Sequence, residues 1–245
     1  METNDVAAER SSAGELNVFQ KVVGIFTSPR ETFESINERP SWLIPYIIVV
    51  VISLVSGFLV TDIAIQDQIS RIEANPNISQ DRAEAIIGRI EEQATGARKY
   101  FNLALSPIII LLAMVIVSGI LLFCGNIILG GEGNFKKVFA VYAWSSLISV
   151  LAAIVKTPLI LATETTDVAT NLAVLLPSED RFSMLYRILA QVDFFTIWLV
   201  IVISIGLSVI YRFHLQKTLV VVATLQIIWA AIKIGFSSLM GGMFG

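Results

Sequence analysis

The sequence predicts an all-α polytopic membrane protein: a bundle of five transmembrane helices preceded by short amphipathic N-terminal helices. Three observations carry this. Five long apolar runs, at about residues 42–63, 102–130, 138–162, 194–211 and 218–240, are separated by short polar stretches. A helix that crosses a hydrocarbon core about 30 Å thick needs about 20 predominantly apolar residues. The chain is 55% hydrophobic and 15% charged over 245 residues, where soluble domains carry about 25% charged residues. The runs are also continuous rather than alternating. Lipid offers no partner for backbone N–H and C=O groups, so only helices and closed barrels span it, and continuity selects helices.

The same composition narrows the function classes. A formal net charge of −3 opposes a nucleic-acid partner, which needs a basic face. Cys124 is the sole cysteine, so no internal disulfide forms, and His214 is the sole histidine. No set of ligands surrounds either, and a structural zinc site needs four. The expectation is therefore no catalytic, cofactor-binding or metal-binding residues. The first apolar run starts after about 40 mixed polar residues, unlike a cleavable signal peptide, whose apolar stretch is short and near the start. The first span is expected to act as an uncleaved anchor.

In chain order, residues 1–14 read as a disordered tail, polar and acidic without apolar periodicity. Residues 15–41 read as two short amphipathic helices. Ser12 and Glu15 have capping-box spacing, and Leu16, Phe19, Val23 and Phe26 form one stripe behind them. Ser28, Pro29 and Glu31 repeat the start signal with proline at the first helical position, and Phe33 and Ile36 continue the second helix. Pro40 ends it. These helices lie on the membrane surface, or alternatively pack on the polar end of the bundle; their basic residues, Lys21, Arg30 and Arg39, are few for surface helices.

Residues 42–245 form the five-span domain. Trp42 and Pro45 mark entry into span one, tryptophan favouring the headgroup level. Residues 64–100 form an extramembrane helical hairpin turning at Asn75-Pro76-Asn77. Its second arm is capped by Ser79 and carries Ala83, Ile86, Ile87, Ile90 and Ala94 on one face. Gly130 and Gly131 begin a tight turn into span three. Ser178 caps an amphipathic helix with Phe182, Leu185, Ile188 and Leu189 ahead of span four. With five spans the termini lie on opposite sides. Lys136, Lys137, Arg212 and Lys217 share the side of the N-terminus, which the positive-inside rule makes cytoplasmic.

Small residues at every fourth position, Ser53-Gly57-Thr61, Ser145-Ser149-Ala153 and Ser204-Ser208, suit close helix contacts within the bundle or between copies in a homo-oligomer. Three ionisable groups in or beside the spans stand out: Lys156, Asp193 and Lys233. A charge deep in lipid is costly unless it pairs or snorkels. Two readings remain open: both lysines snorkel while Asp193 caps its helix, or Asp193 pairs with a lysine and ties span four to span three or five. Gln226 lies about 12 Å into span five at 1.5 Å per residue, where an amide bonds a neighbouring helix or lines a substrate path. Asn126 is expected to serve the glycine turn.

The segment from Phe19 to Phe33, with Ser28 and Pro29, followed by Pro40, Trp42 and Pro45, resembles the N-terminal signature of the Yip family, membrane proteins named for interaction with Ypt/Rab GTPases. The turn Gly130-Gly131-Glu132-Gly133-Asn134-Phe135 fits the same pattern, as do Asp193, Phe195 and Trp198 leading to Gly206. The resemblance runs from about residue 19 to the end. It implies five spans with a cytoplasmic N-terminus, and a prokaryotic-type branch placed in the inner membrane. Eukaryotic relatives bind prenylated Rab GTPases; for this branch the family name does not carry GTPase binding with it. Ser146 stands near the place of an expected proline in span three, so that helix is expected to be less kinked. The function expected is a non-enzymatic membrane scaffold that recruits protein partners or organises the lipid bilayer. The alternative is a transporter or transporter subunit with a polar path through the bundle.

Overall fold

The computed structural model describes residues 16–168, 170–176 and 183–239. The expected tail at 1–14, the Ser12/Glu15 capping pair, and Ser178 with Phe182 lie outside these residues. The first helix among the described residues is α1 (Val18–Thr27). Its cap is Asn17, whose side chain accepts from the Gln20 N–H at 2.9 Å while the Gln20 side chain accepts from the Asn17 N–H at 2.8 Å. This is the reciprocal capping box, formed by Asn17 and Gln20 immediately ahead of the helix.

α2 (Pro29–Glu38) begins with proline at its first position, as expected, but the Ser28 side chain makes no capping bond. Ser28 instead joins the two helices through its backbone. Its N–H closes α1 on the Gly24 carbonyl at 2.8 Å, and its carbonyl accepts from the Thr32 N–H and hydroxyl at 3.2 and 3.0 Å. A Cβ at Gly24 would lie 2.2 Å from Thr32 Oγ1, so this glycine is what lets the two helices meet so closely.

Among the described residues, five helical stretches are long and apolar enough to cross a membrane. α3 (Leu43–Glu73) is one unbroken helix of 31 residues, so span one and the first arm of the expected hairpin are continuous. The turn after it is made by Asn75, whose side chain accepts from the Asn77 N–H at 2.9 Å. α4 (Gln80–Gln93) follows; Ser79 occupies the cap position without a side-chain capping bond. Ala83, Ile86, Ile87, Ile90 and Ala94 are half-buried while most of the residues between them are exposed, so the apolar stripe is the face turned to the protein. A short 3₁₀ turn (Gly96–Tyr100) leads into α5 (Phe101–Phe123), which ends in a π-helical segment (Cys124–Ile128).

Span three is two helices, α6 (Phe135–Ser145) and α7 (Leu147–Thr163). The interruption between them falls at Ser146. Its hydroxyl donates to the Tyr142 carbonyl at 2.8 Å, the i−4 back-bond by which serine bends helices without a proline. α8 (Met184–Ala190) is capped by Ser183, which accepts from the Tyr186 N–H. α9 (Phe194–Tyr211) is span four, and α10 (Leu215–Leu239) is span five. Among the described residues the only β pairing is one antiparallel bridge, Asn171 to Asp193.

Span three is the axis of the bundle. Its most apolar window is 56% buried inside the protein, against 11% for span one and 6% for span five. α7 packs along α3, α6 packs on α5 and α9, and α10 leans mainly on α9. Trp144, Ile148, Val138 and Val141 are completely buried. Two of the small-residue stripes make contacts inside the chain, while Ser149 of the third is exposed: Gly57 abuts Leu103 of α5, and the Thr218 hydroxyl donates to the Ser204 carbonyl at 2.9 Å, joining α10 to α9.

Candidate functional site

The end of the bundle that carries the N-terminal helices is built around a hairpin seated on the spans. α2 packs on α9 and α6, and α1 touches both halves of span three. Ile25, Phe33 and Ile36 are fully buried at 0% exposure. Gly206 makes room for Phe33: a Cβ there would meet Val141 Cγ1 at 2.5 Å and the Phe33 ring at 3.1 Å. Thus two residues of the sequence signature, Phe33 and Gly206, are one contact. Phe26 meets Trp198 edge-on at 5.9 Å between centroids, and Trp198 meets Phe194 at 5.7 Å.

The chain from α2 into α3 is pinned just as firmly. Pro40 is half-buried, Pro45 is buried, and the Trp144 indole N–H donates to the Ser41 carbonyl at 2.8 Å. Trp42 lies edge-on to Phe139 at 5.2 Å, and Phe139 stacks on Phe135 at 5.7 Å. Trp42 therefore packs against span three, where the sequence suggested a headgroup marker.

The glycine turn wraps around Tyr211. A Cβ at Gly125, Gly131 or Gly133 would lie within 2.5 Å of the Tyr211 ring or hydroxyl. Gly130 takes a positive φ of 69°, which glycine adopts without steric cost. Asn126 clamps the turn: its amide donates to the Gly133 carbonyl at 3.1 Å and its oxygen accepts from the Gly133 N–H at 2.8 Å. Tyr211 stacks on Phe213 at 5.4 Å with an 8° tilt, and its buried hydroxyl has no partner. The signature glycines thus surround a residue that sequence reasoning missed. Its only signal was an aromatic side chain at the end of an apolar run.

Beside this packing lies a polar cleft of about 590 Å³, lined by Arg30, Glu34, Asn37 and Glu38 of α2 together with Arg212 and Phe213. Arg30 and Glu34 pair at 3.3 Å, both well exposed. α1 presents a different outer face, with Val18, Val23 and the 76%-exposed Phe19.

At the opposite end, Asp193 joins spans three and four. One carboxylate oxygen accepts from the Phe195 and Thr196 N–H groups at 3.0 and 3.2 Å, capping α9. The other accepts from Lys156 Nζ at 3.0 Å and the Thr170 hydroxyl at 2.6 Å. Lys156 also lies over the Phe195 ring at 5.8 Å. Burial pushes the Asp193 carboxyl up. The Thr170 hydroxyl, the Lys156 ammonium and the Thr196 N–H outweigh it and hold the group below the ordinary carboxylate range. Capping and pairing, posed as alternatives by the sequence, coexist because the two oxygens divide the work. The pair is with span three: no bond joins Lys233 to Asp193, and the Gln226 side chain makes no hydrogen bond among the described residues.

A second carboxylate at this end was also missed. Asp67, on the part of α3 beyond span one, accepts from Arg71 at 3.1 Å, from the Thr165 hydroxyl at 3.2 Å, and from both the N–H and hydroxyl of Thr166. The Tyr186 hydroxyl donates to Asp167 at 2.9 Å. The i,i+4 spacing of Asp67 and Arg71 was the available signal; the threonine loop that completes the site is distant in sequence. Among the described residues no three His, Cys, Asp or Glu side chains could hold a metal ion together.

Comparison with known proteins agrees with this architecture. A family profile described as the Yip1 domain matches residues 23–238. The chain is 28% identical over 209 residues to membrane protein YknW of Bacillus subtilis (strain 168), a match covering 84% of each chain. No solved structure matches it.

Proposed function

The chain belongs to the Yip1-domain family, and from that premise we propose that it is a non-enzymatic membrane scaffold whose docked hairpin recruits a protein partner. The observation that carries this reading is the asymmetry of α1 and α2. Their inner faces are fully buried on the bundle at Ile25, Phe33 and Ile36. Their outer faces divide the surroundings: Val18, Phe19 and Val23 suit the lipid interface, whereas Arg30, Glu34, Glu38 and Arg212 form a charged cleft that suits a polar protein surface. A rigid seat under a mixed-charge rim offers a partner a preformed surface, which lowers the ordering cost of binding. The N-terminus is cytoplasmic in this proposal, with the inner membrane as location, because Lys136, Lys137, Arg212 and Lys217 share that side.

The transporter reading lacks a comparable observation. Gln226, Asp193, Lys156 and Lys233 line neither the cleft nor the larger cavity at the other end. Site-specific photocrosslinking in native membranes tests the scaffold. A crosslinker at Glu34 or Glu38 is expected to capture a discrete protein, and one at the lipid-facing Ile228 is expected not to. Identical patterns at the three positions contradict the proposal.

A further inference from the structure

A cavity of about 820 Å³ opens at the end opposite the N-terminal helices, between the outer part of α3, the end of α4 and the start of α5. Its size falls within the range of about 300–1,000 Å³ typical of ligand pockets. Its walls are of two kinds. Ile65, Ile90, Phe101 and Leu103 supply an apolar floor, and Arg98 and Lys99 supply two cations. Each cation is braced from outside the lining: Arg98 by Glu92 at 3.0 Å and Lys99 by Asp62. Ser106 also lines the cavity, and its buried Oγ has no partner among the described residues.

The surrounding side chains set the depth. Tyr100 stacks on Phe58 at 5.6 Å, and Phe58 and Phe101 are both 61% exposed. Aromatic rings of this kind gather at the membrane–water interface, with tyrosine at the headgroup level. Phe101 and Leu103, at the start of span two, therefore lie on the hydrocarbon side, Arg98 and Lys99 stand at the height of lipid phosphates, and Ile65 and Ile90 close the cavity from the extramembrane parts of α3 and α4. Arginine's planar fork matches phosphate oxygens, and a lysine beside it adds a second charge.

We propose that this cavity holds one glycerophospholipid, its phosphate diester between Arg98 and Lys99 and an acyl chain along Phe101 and Leu103. The site is independent of the docked hairpin and does not rest on the scaffold reading. Its occupant would fill the gap between the extramembrane helix and the spans, so binding couples α4 to the bundle.

Native mass spectrometry of the full-length, delipidated protein in detergent, titrated with phosphatidylglycerol, tests the site. The wild-type chain is expected to take up one lipid at saturation. The double variant R98Q/K99Q is expected to bind at least tenfold more weakly, and A64W, which fills the cavity, to bind none. R89Q, on the exposed face of α4, is expected to bind like wild type. Diacylglycerol, which lacks the phosphate, and glycerol phosphate, which lacks the chains, are each expected to compete at least tenfold less well than phosphatidylglycerol. If R98Q/K99Q keeps wild-type affinity, or if diacylglycerol competes equally, phosphate recognition is overturned. Equal competition by glycerol phosphate overturns the acyl groove. Should A64W fail to fold, the two competition measurements and R98Q/K99Q decide alone.

Discussion

The two ends of this bundle are held together by different physics. At the end bearing the hairpin, contacts are apolar and glycine-mediated: Phe33 against Gly206, Tyr211 inside three glycines, Trp42 and Phe135 on Phe139. Apart from Lys21, which is buried on α1, the charges of the hairpin lie toward the rim of the polar cleft or outward. At the opposite end, carboxylates organise the structure, Asp193 gathering Lys156 and Thr170, and Asp67 gathering Arg71, Thr165 and Thr166. Packing of the first kind is shape-specific and rigid. Networks of the second kind sit near water, where each bond contributes modestly, and they leave a large cavity between α3, α4 and α5. The first end suits a fixed platform, and the second suits a yielding rim.

This contrast implies a ranking of substitutions, read as the midpoint of denaturant unfolding in mixed micelles. Phe33→Ala empties a fully buried site and is expected to cost the most, about 3–5 kcal/mol. Gly206→Leu overfills the same contact and is expected to cost about 3 kcal/mol. A loss below that of any substitution at the opposite end would break the contrast. Asp193→Ala removes a helix cap together with an ion pair to a partly exposed lysine, and about 2 kcal/mol is expected. The exchanged pair Asp193→Lys with Lys156→Asp is expected to recover only part of this, because lysine cannot cap α9 or accept from Thr170. Full recovery would mean that attraction between the charges is the whole role of Asp193.

Acid sharpens the comparison. The folded Asp193 carboxyl lies below its ordinary value, so its stabilisation is complete above about pH 4, the unfolded value, and is lost as pH falls through the folded one. Between pH 8 and 5 no slope from this group is expected; below about pH 4 wild-type stability falls toward that of Asp193→Asn. The smallest effect belongs to Tyr211→Phe. Its buried hydroxyl has no partner, so removal is expected to leave stability unchanged or to raise it by about 1 kcal/mol.

Most of the architecture was legible in the sequence because lipid imposes a length and a continuity that composition reveals directly. Span four runs over 194–211 as its apolar run predicts, whereas span one continues to Glu73 because helix propensity does not stop where hydrophobicity does. Span three breaks at Ser146 through a back-bond that serine forms only in some contexts. Caps were legible as positions more than as bonds: Ser28 and Ser79 sit where helix starts were expected but make no side-chain capping bond, while Asn17 and Ser183 make theirs. The site was legible where both partners are local, as with Asn126 and its turn. It was not legible where partners meet across the fold, as with Tyr211 and the three glycines or Asp67 and the threonine loop. Sequence spacing carries no information about such meetings.

The seating of the hairpin is the central claim, and cysteine labelling tests it most directly. In a Cys124→Ala background, single cysteines at Ile36 and Glu34 lie two residues apart on α2, one fully buried against the bundle and one exposed. With a soluble maleimide on intact membrane vesicles open at the N-terminal side, Glu34→Cys is expected to label at least tenfold faster than Ile36→Cys, until denaturant equalises the two. Equal rates before denaturation would mean that α2 does not dock, and the platform would be lost with it.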